Sequence, residues 1–228
     1  MTRAGLVRHL PLAVLILPGA ALAHAISGGN ASFVEGIAGP APGAFLYLGA
    51  KHMVTGLDHV LFLVGVVFFL HRLKDVVVYV SLFTLGHSLT LLAGVLAGLT
   101  VNAYLVDAVI GFSVVYKAFE NMGGFRAVVP FRLDMRVAVL AFGLAHGLGL
   151  ATKLQELSLS REGLLVNLLS FNVGVEIGQV LVLAAVVALL NLWRAQPAFA
   201  RQALLANTAL MTGGFVLTGI QLAGYFLT

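Results

Sequence analysis

Cysteine is absent from this chain of 228 residues, which excludes disulfides, thiolate metal sites and cysteine nucleophiles. Charge is scarce as well. Asp, Glu, Lys and Arg make up only 10% of the residues, whereas a water-soluble domain carries about a quarter. With 60% hydrophobic residues and a mean hydropathy of +1.03, the composition is that of an integral membrane protein. Basic runs are missing too. The pI is near 9.7, but the basic residues stand singly between apolar stretches, with no aromatic-interleaved patch. Nucleic acid is therefore excluded as a partner, and the charges read as topology signals. Neither a P-loop nor a Rossmann glycine pattern occurs, so the chain carries no ATP-driven motor of its own.

What is present divides into three parts. Residues 1–23 have basic Arg3 and Arg8, a short apolar core from Leu10 to Leu17, and a small-x-small ending at Ala21-Leu22-Ala23. That core falls short of the ~20 residues a span needs, so the segment reads as a signal peptide removed after Ala23, leaving His24 as the mature N-terminus. An uncleaved anchor is the alternative. Residues 24–43 are small, polar and Gly/Pro-rich, as suits a periplasmic leader. Residues 44–228 hold six apolar stretches: Ala44–Leu70, Val76–Gly98, Val101–Asn121, Met135–Thr152, Gly163–Leu192 and Ala203–Leu227. The expected fold is an all-α, polytopic membrane helical bundle with six transmembrane helices.

Orientation follows from the loops. One side carries Arg72, Lys74, Arg126, Arg132, Arg136, Arg194 and Arg201. The other has Lys51, Lys153 and Arg161, offset by Glu35, Glu156 and Glu162. The positive-inside rule then places both mature termini in the periplasm, the side that signal cleavage also requires. Tyr47, Tyr79, Tyr104, Tyr116, Trp193 and Tyr225 all fall near span ends, as an interfacial belt does.

Polar groups inside these spans are the departure from a plain bundle. They are His52, Asp58 and His59 in the first, His87 in the second, and Asp107, Glu120 and Asn121 in the third. His146 follows in the fourth, and Asn167, Asn172, Glu176 and Gln179 in the fifth. One Asp, Lys or Arg at mid-bilayer costs about 2.5–3.5 kcal/mol on insertion scales, so such residues mark partners or a site. Residue counting puts His59, His87, Asp107, His146, Asn172 and Glu176 in one layer between the midplane and the outer interface. Asn172 and Glu176, at i,i+4, share a helical face. His52 and His59 stand about 10.5 Å apart along an ideal helix, so a shared ion requires the helix to open near Thr55-Gly56. Asp58 is suited to orienting the ring of a histidine on a neighbouring helix. Glu120 and Asn121, near the inner interface, read as snorkelling or as a cap on the third span. For any single polar residue, the competing reading is an ordinary interhelical hydrogen bond.

Five stretches carry a family resemblance: HMVTGLDHVLFL (His52–Leu63), FTLGHSLTL (Phe83–Leu91), VDAVIGFSVVYKAFEN ending at Asn121, FGLAHGLGLA (Phe142–Ala151) and FNVGVEIGQ (Phe171–Gln179). In this order they resemble the second branch of the HupE/UreJ family of hydrogenase and urease accessory membrane proteins. The resemblance implies uptake or delivery of a transition-metal ion (nickel, cobalt, copper or zinc) across the bacterial inner membrane. It also implies metalloenzyme-maturation or metal-uptake proteins as partners, beside the lipid bilayer and the divalent ion. His52, Asp58 and His59 match the family's His-x5-Asp-His motif. The nickel-transporting branch has a second motif, Phe-His-Gly-x-Ala-His-Gly-x-Glu. Here Ala145-His146-Gly147 matches it, but Phe142 stands at its first His and Gly149 at its Glu. On this pattern His87 and Glu176 must supply the missing ligands, and the choice of metal stays open.

The expected ligand set is therefore His52, Asp58, His59, His87, His146 and Glu176, with Asp107, Asn172 and Gln179 supporting it or lining a pathway. His24, through its α-amine and imidazole, is a candidate chelate at the mouth. Imidazole and carboxylate suit Ni, Co, Cu(II) and Zn. Met53, Met122, Met135 and Met211 are not clustered, which argues against a Cu(I) relay. Two further readings stay open beside transport. An intramembrane zinc hydrolase would hold Zn²⁺ with three histidines and use Glu176 as general base. A partner-binding accessory subunit would transport nothing itself.

Overall fold

A computed structural model describes residues 33–128, 134–157 and 159–227. The expected signal peptide, His24 and Arg132 lie outside the described residues. Every described element is an α-helix: α1 Pro42–Thr55, α2 Leu57–Val67, α3 Leu73–Ala97, α4 Ala103–Asn121, the short α5 Gly124–Val128, α6 Met135–Gln155, α7 Leu164–Arg194 and α8 Phe199–Leu227.

Local chemistry sets the ends. Pro42 opens α1 where its missing N–H is harmless. Asn102 and Asp134 cap α4 and α6 by accepting from the Leu105 and Arg136 amides at 3.2 and 2.9 Å. Gly98 ends α3 in the left-handed region (φ 66°), returning its N–H to Gly94 and Val95.

Helices α3, α6, α7 and α8 are each long and apolar enough to cross a membrane. The first apolar stretch, expected as one continuous helix, is instead two helices bent by 63°. Gly56 is the break. Its backbone is extended, and its N–H caps the His52 carbonyl at 2.8 Å. A Cβ there would meet His52 O at 2.9 Å and His59 Nδ1 at 3.1 Å, so glycine lets the two helix ends come close. If α1 and α2 make one span, the described residues hold five such crossings. Helix α4 carries Asp107, Lys117 and Glu120 within its length, more charge than a simple lipid-facing span tolerates.

Three helix pairs pack most extensively: α1 along α7, α3 along α6, and α4 along α8. Glycines permit the closeness. A Cβ on Gly147 would overlap the His87 carbonyl, and one on Gly174 that of Leu46. Helix α2 lies between the pairs, touching α1, α3, α4, α7 and α8, and it buries His59, Phe62, Leu63, Gly65, Val66 and Val67. Its far end is held by Arg194, whose guanidinium donates to Val67 O and Phe68 O at 2.6 Å each. Leu85, Leu89, Val173, Ile177 and Leu181 face outward. So much exposed apolar surface is stable against lipid rather than water.

Candidate metal centre

The bend at Gly56 creates the centre. It angles the last turn of α1 toward the first turn of α2, so the His52 and His59 rings lie 4.8 Å apart rather than the ~10.5 Å of a continuous helix. It also leaves the carbonyl end of α1, with its partial negative charge, beside His52. His87 enters from α3, 5.9 Å from His59 and 6.4 Å from His52. His146 comes from α6, 4.7 Å from His59. The Gly147 contact with the His87 backbone brings α3 and α6 close at this level. All four rings are buried, His87 completely.

Two rings have their tautomer imposed. His59 Nδ1 donates to Asp58 Oδ1 at 2.9 Å, since a carboxylate only accepts. His146 Nδ1 donates to the Phe142 carbonyl at 2.7 Å. Each ring therefore turns a bare Nε2 lone pair away from its support, the usual state of a metal-ligating imidazole. Neither nitrogen finds a donor. Among the described residues, both nitrogens of His52, both of His87 and Nε2 of His59 and His146 are buried without a hydrogen-bond partner. A buried polar atom left so costs about 1–3 kcal/mol, and six in one cluster is a deficit that a bound cation removes.

One ring nitrogen from each of His52, His59 and His87 falls within 4.8 Å of the others. Tetrahedral ligands at about 2.0–2.1 Å stand roughly 3.3 Å apart, so ring movements of roughly 1 Å would close on an ion. The donor set is nitrogen-rich and without thiolate, which suits borderline divalent ions.

The other expected residues are placed differently. Asp58 supports His59, its own neighbour, rather than a histidine of another helix; at the start of α2 it also accepts from the His59 amide at 2.9 Å. Asp107 holds no histidine. Its carboxylate takes Lys153 Nζ at 2.8 and 3.0 Å, joining α4 to α6. Gln179 ties α7 to α3 by accepting from Thr84 and donating to Val80 O. Asn172 is buried and donates to Leu168 O, while its Oδ1 has no partner. Glu176 is not brought to the histidines. It is exposed, because it falls outside the buried face of α7, which includes Leu168, Phe171, Asn172, Val175 and Gln179. One helical turn carries Glu176 about 40° past Asn172, over the edge of that stripe.

One residue gives no clear sign in the sequence. Lys117, with its side chain 8% exposed, pairs with Glu120 and donates to Asn121 Oδ1 at 2.8 Å. Asn121 in turn donates to Gly65 O and Asn207 Oδ1, both at 2.9 Å. The i, i+3, i+4 spacing of Lys117, Glu120 and Asn121 is the only hint, and it also fits a solvated helix end.

The family model for HupE / UreJ proteins matches residues 30–228. No curated protein and no solved structure matches the chain. The chain belongs to the HupE/UreJ family, which is linked to nickel and cobalt uptake or accessory roles.

Proposed function

From that membership and the nitrogen cluster together, we propose that the chain moves a divalent transition-metal ion across the bacterial inner membrane. The ion is cargo, bound on the way by His52, His59, His87 and His146, with Asp58 fixing the His59 ring. The observation that carries this reading is the set of six buried, partnerless imidazole nitrogens contributed by four helices, α1, α2, α3 and α6. Pure packing rarely leaves so many polar atoms unsatisfied.

The proposed topology is six spans, with α1 and α2 as a broken first span, α4 as the third, and both mature termini in the periplasm. Its charges make α4 a poor span alone, but Asp107 and Lys117 both have partners on the bundle side. Broken helices at ligand sites are a recurrent feature of transporters, because the freed helix ends present partial charge to the cargo. A hydrolase would need a free carboxylate base beside the ion. Asp58 is engaged with His59, and Glu176 lies on the outer wall, so we favour transport.

The test is metal analysis of the purified protein followed by uptake into proteoliposomes of Ni²⁺, Co²⁺, Zn²⁺ and Cu²⁺. Metal-dependent uptake supports the proposal; tight, stoichiometric zinc with no uptake of any ion contradicts it.

A further inference from the structure

Beyond the histidines, α2 continues toward a second polar region. A cavity of about 380 Å³ is lined there by Val66, Tyr79, Lys117, Glu120, Asn121 and Arg126, among others. It lies in line with the histidine cluster. His59, Phe62 and Val66 follow one face of α2, about 10.5 Å from first to last. Between cluster and cavity stands a layer of rings: Phe62 packs on Phe83 at 5.4 Å and on Phe142 at 5.7 Å. His146 rests on Phe62 and Phe83 at 5.6 and 5.0 Å. Phe62, Phe83 and Phe142 offer no ligand atom, and the carboxylate among the residues lining the cavity is that of Glu120.

The chemistry around Glu120 is that of a place to let go. Its Oε2 holds the Lys117 ammonium, leaving Oε1 outside that contact. Lys117 is held beside this carboxylate. It is buried, and Asn121 holds it while itself anchored to Gly65 O of α2 and Asn207 of α8. A divalent ion reaching Glu120 therefore meets a cation that stays beside the same carboxylate, and a second, Arg126, on the cavity wall. Two like charges near one carboxylate keep the ion's affinity low.

Resting on the transport reading above, we propose that this cavity is the ion's release site, with Glu120 as its carboxylate ligand and Lys117 as the resident cation that displaces it. The ion exchanges imidazole ligands for Glu120 and water once the phenylalanine layer parts. Lys117 then re-forms its pair, and the ion leaves. No proton or electron need change hands.

The experiment uses the full chain with Co²⁺ as probe, comparing the parent, Glu120→Gln, Lys117→Met and the double variant. Binding at equilibrium and uptake into proteoliposomes are measured together. Glu120→Gln should bind Co²⁺ at the histidines as the parent does, yet take it up about tenfold more slowly, the loss of one charge-assisted contact. Lys117→Met should bind one additional Co²⁺ at saturation, because the competitor is gone, and the double variant should lose that additional ion. Parental uptake by Glu120→Gln, or no additional ion in Lys117→Met, overturns the assignment. Failure of the transport reading looks different: the parent itself then moves no ion. The additional-ion count reads on Glu120 even in that case.

Discussion

At the histidine cluster six buried ring nitrogens have no partner, whereas around Lys117, Glu120, Asn121 and Asn207 no buried side-chain polar atom lacks one. Both regions rest on α2, a few turns apart, and both sit in a bundle whose outer face is apolar. The inner network joins α2, α4 and α8 and satisfies its own buried side-chain polar atoms, so it contributes stability without a bound ion. The cluster does the reverse. It costs stability in the absence of a ligand, and its geometry is held by neighbours: Asp58 on one ring, the Phe142 carbonyl on another, Gly147 under a third. The difference separates a polar network that stabilises the bundle by itself from the cluster we propose as the ion's site.

His87→Leu should break the contrast most sharply. Metal affinity should fall by roughly 100-fold or more, beyond the 10–100-fold typical of a supporting residue. The metal-free protein should become more stable, since two partnerless nitrogens are replaced by an apolar side chain of similar size. Titration calorimetry and thermal unfolding in detergent read the two effects separately. A metal-free protein that unfolds more easily would mean the histidines are packing groups.

Asp58→Asn tests the support of His59 alone. The neutral amide is a weaker acceptor, so affinity should drop about 10–100-fold with little change in fold. A competition titration against a chelator of known strength measures it.

The inner network should respond with the opposite sign. Asn121→Leu removes the side-chain donor to Gly65 O and Asn207 Oδ1 and the Oδ1 acceptor of Lys117, and should destabilise the protein by about 1–3 kcal/mol. Affinity at the histidines should stay at the parental value. If affinity falls as well, the two regions are not separate.

The smallest effect concerns the choice of ion. Phe142 and Gly149 bring no side-chain ligand to the site, so nickel should show no strong preference over cobalt, zinc or copper in competitive uptake. Exclusive nickel uptake would show that the histidines alone discriminate.

Much of this was legible before any coordinates. The apolar stretches located every long helix, and His52, His59, His87 and His146 stood out because polar groups in such stretches are costly. The open helix that a shared ion requires was legible as a condition at Thr55-Gly56, but not the 63° bend itself. Partners were harder. Asp58 looked suited to a histidine of another helix yet holds its own neighbour, and Asp107, expected to support the site, meets Lys153, because helix rotation and register are tertiary facts. Asn172 and Glu176 share a face in projection, but the buried stripe of α7 ends between them. Lys117 escaped notice because a lysine near a span end ordinarily snorkels, and only its packed neighbours show it turned inward.

The central claim is that these imidazoles bind the ion, and X-ray absorption of the Co²⁺- or Zn²⁺-loaded full chain tests it most directly. The account predicts three or four nitrogen ligands near 2.0–2.1 Å with the outer-shell scattering of imidazole rings, lost in the His52→Ala/His59→Ala/His87→Ala variant. An all-oxygen shell, or a spectrum unchanged in that variant, would contradict it.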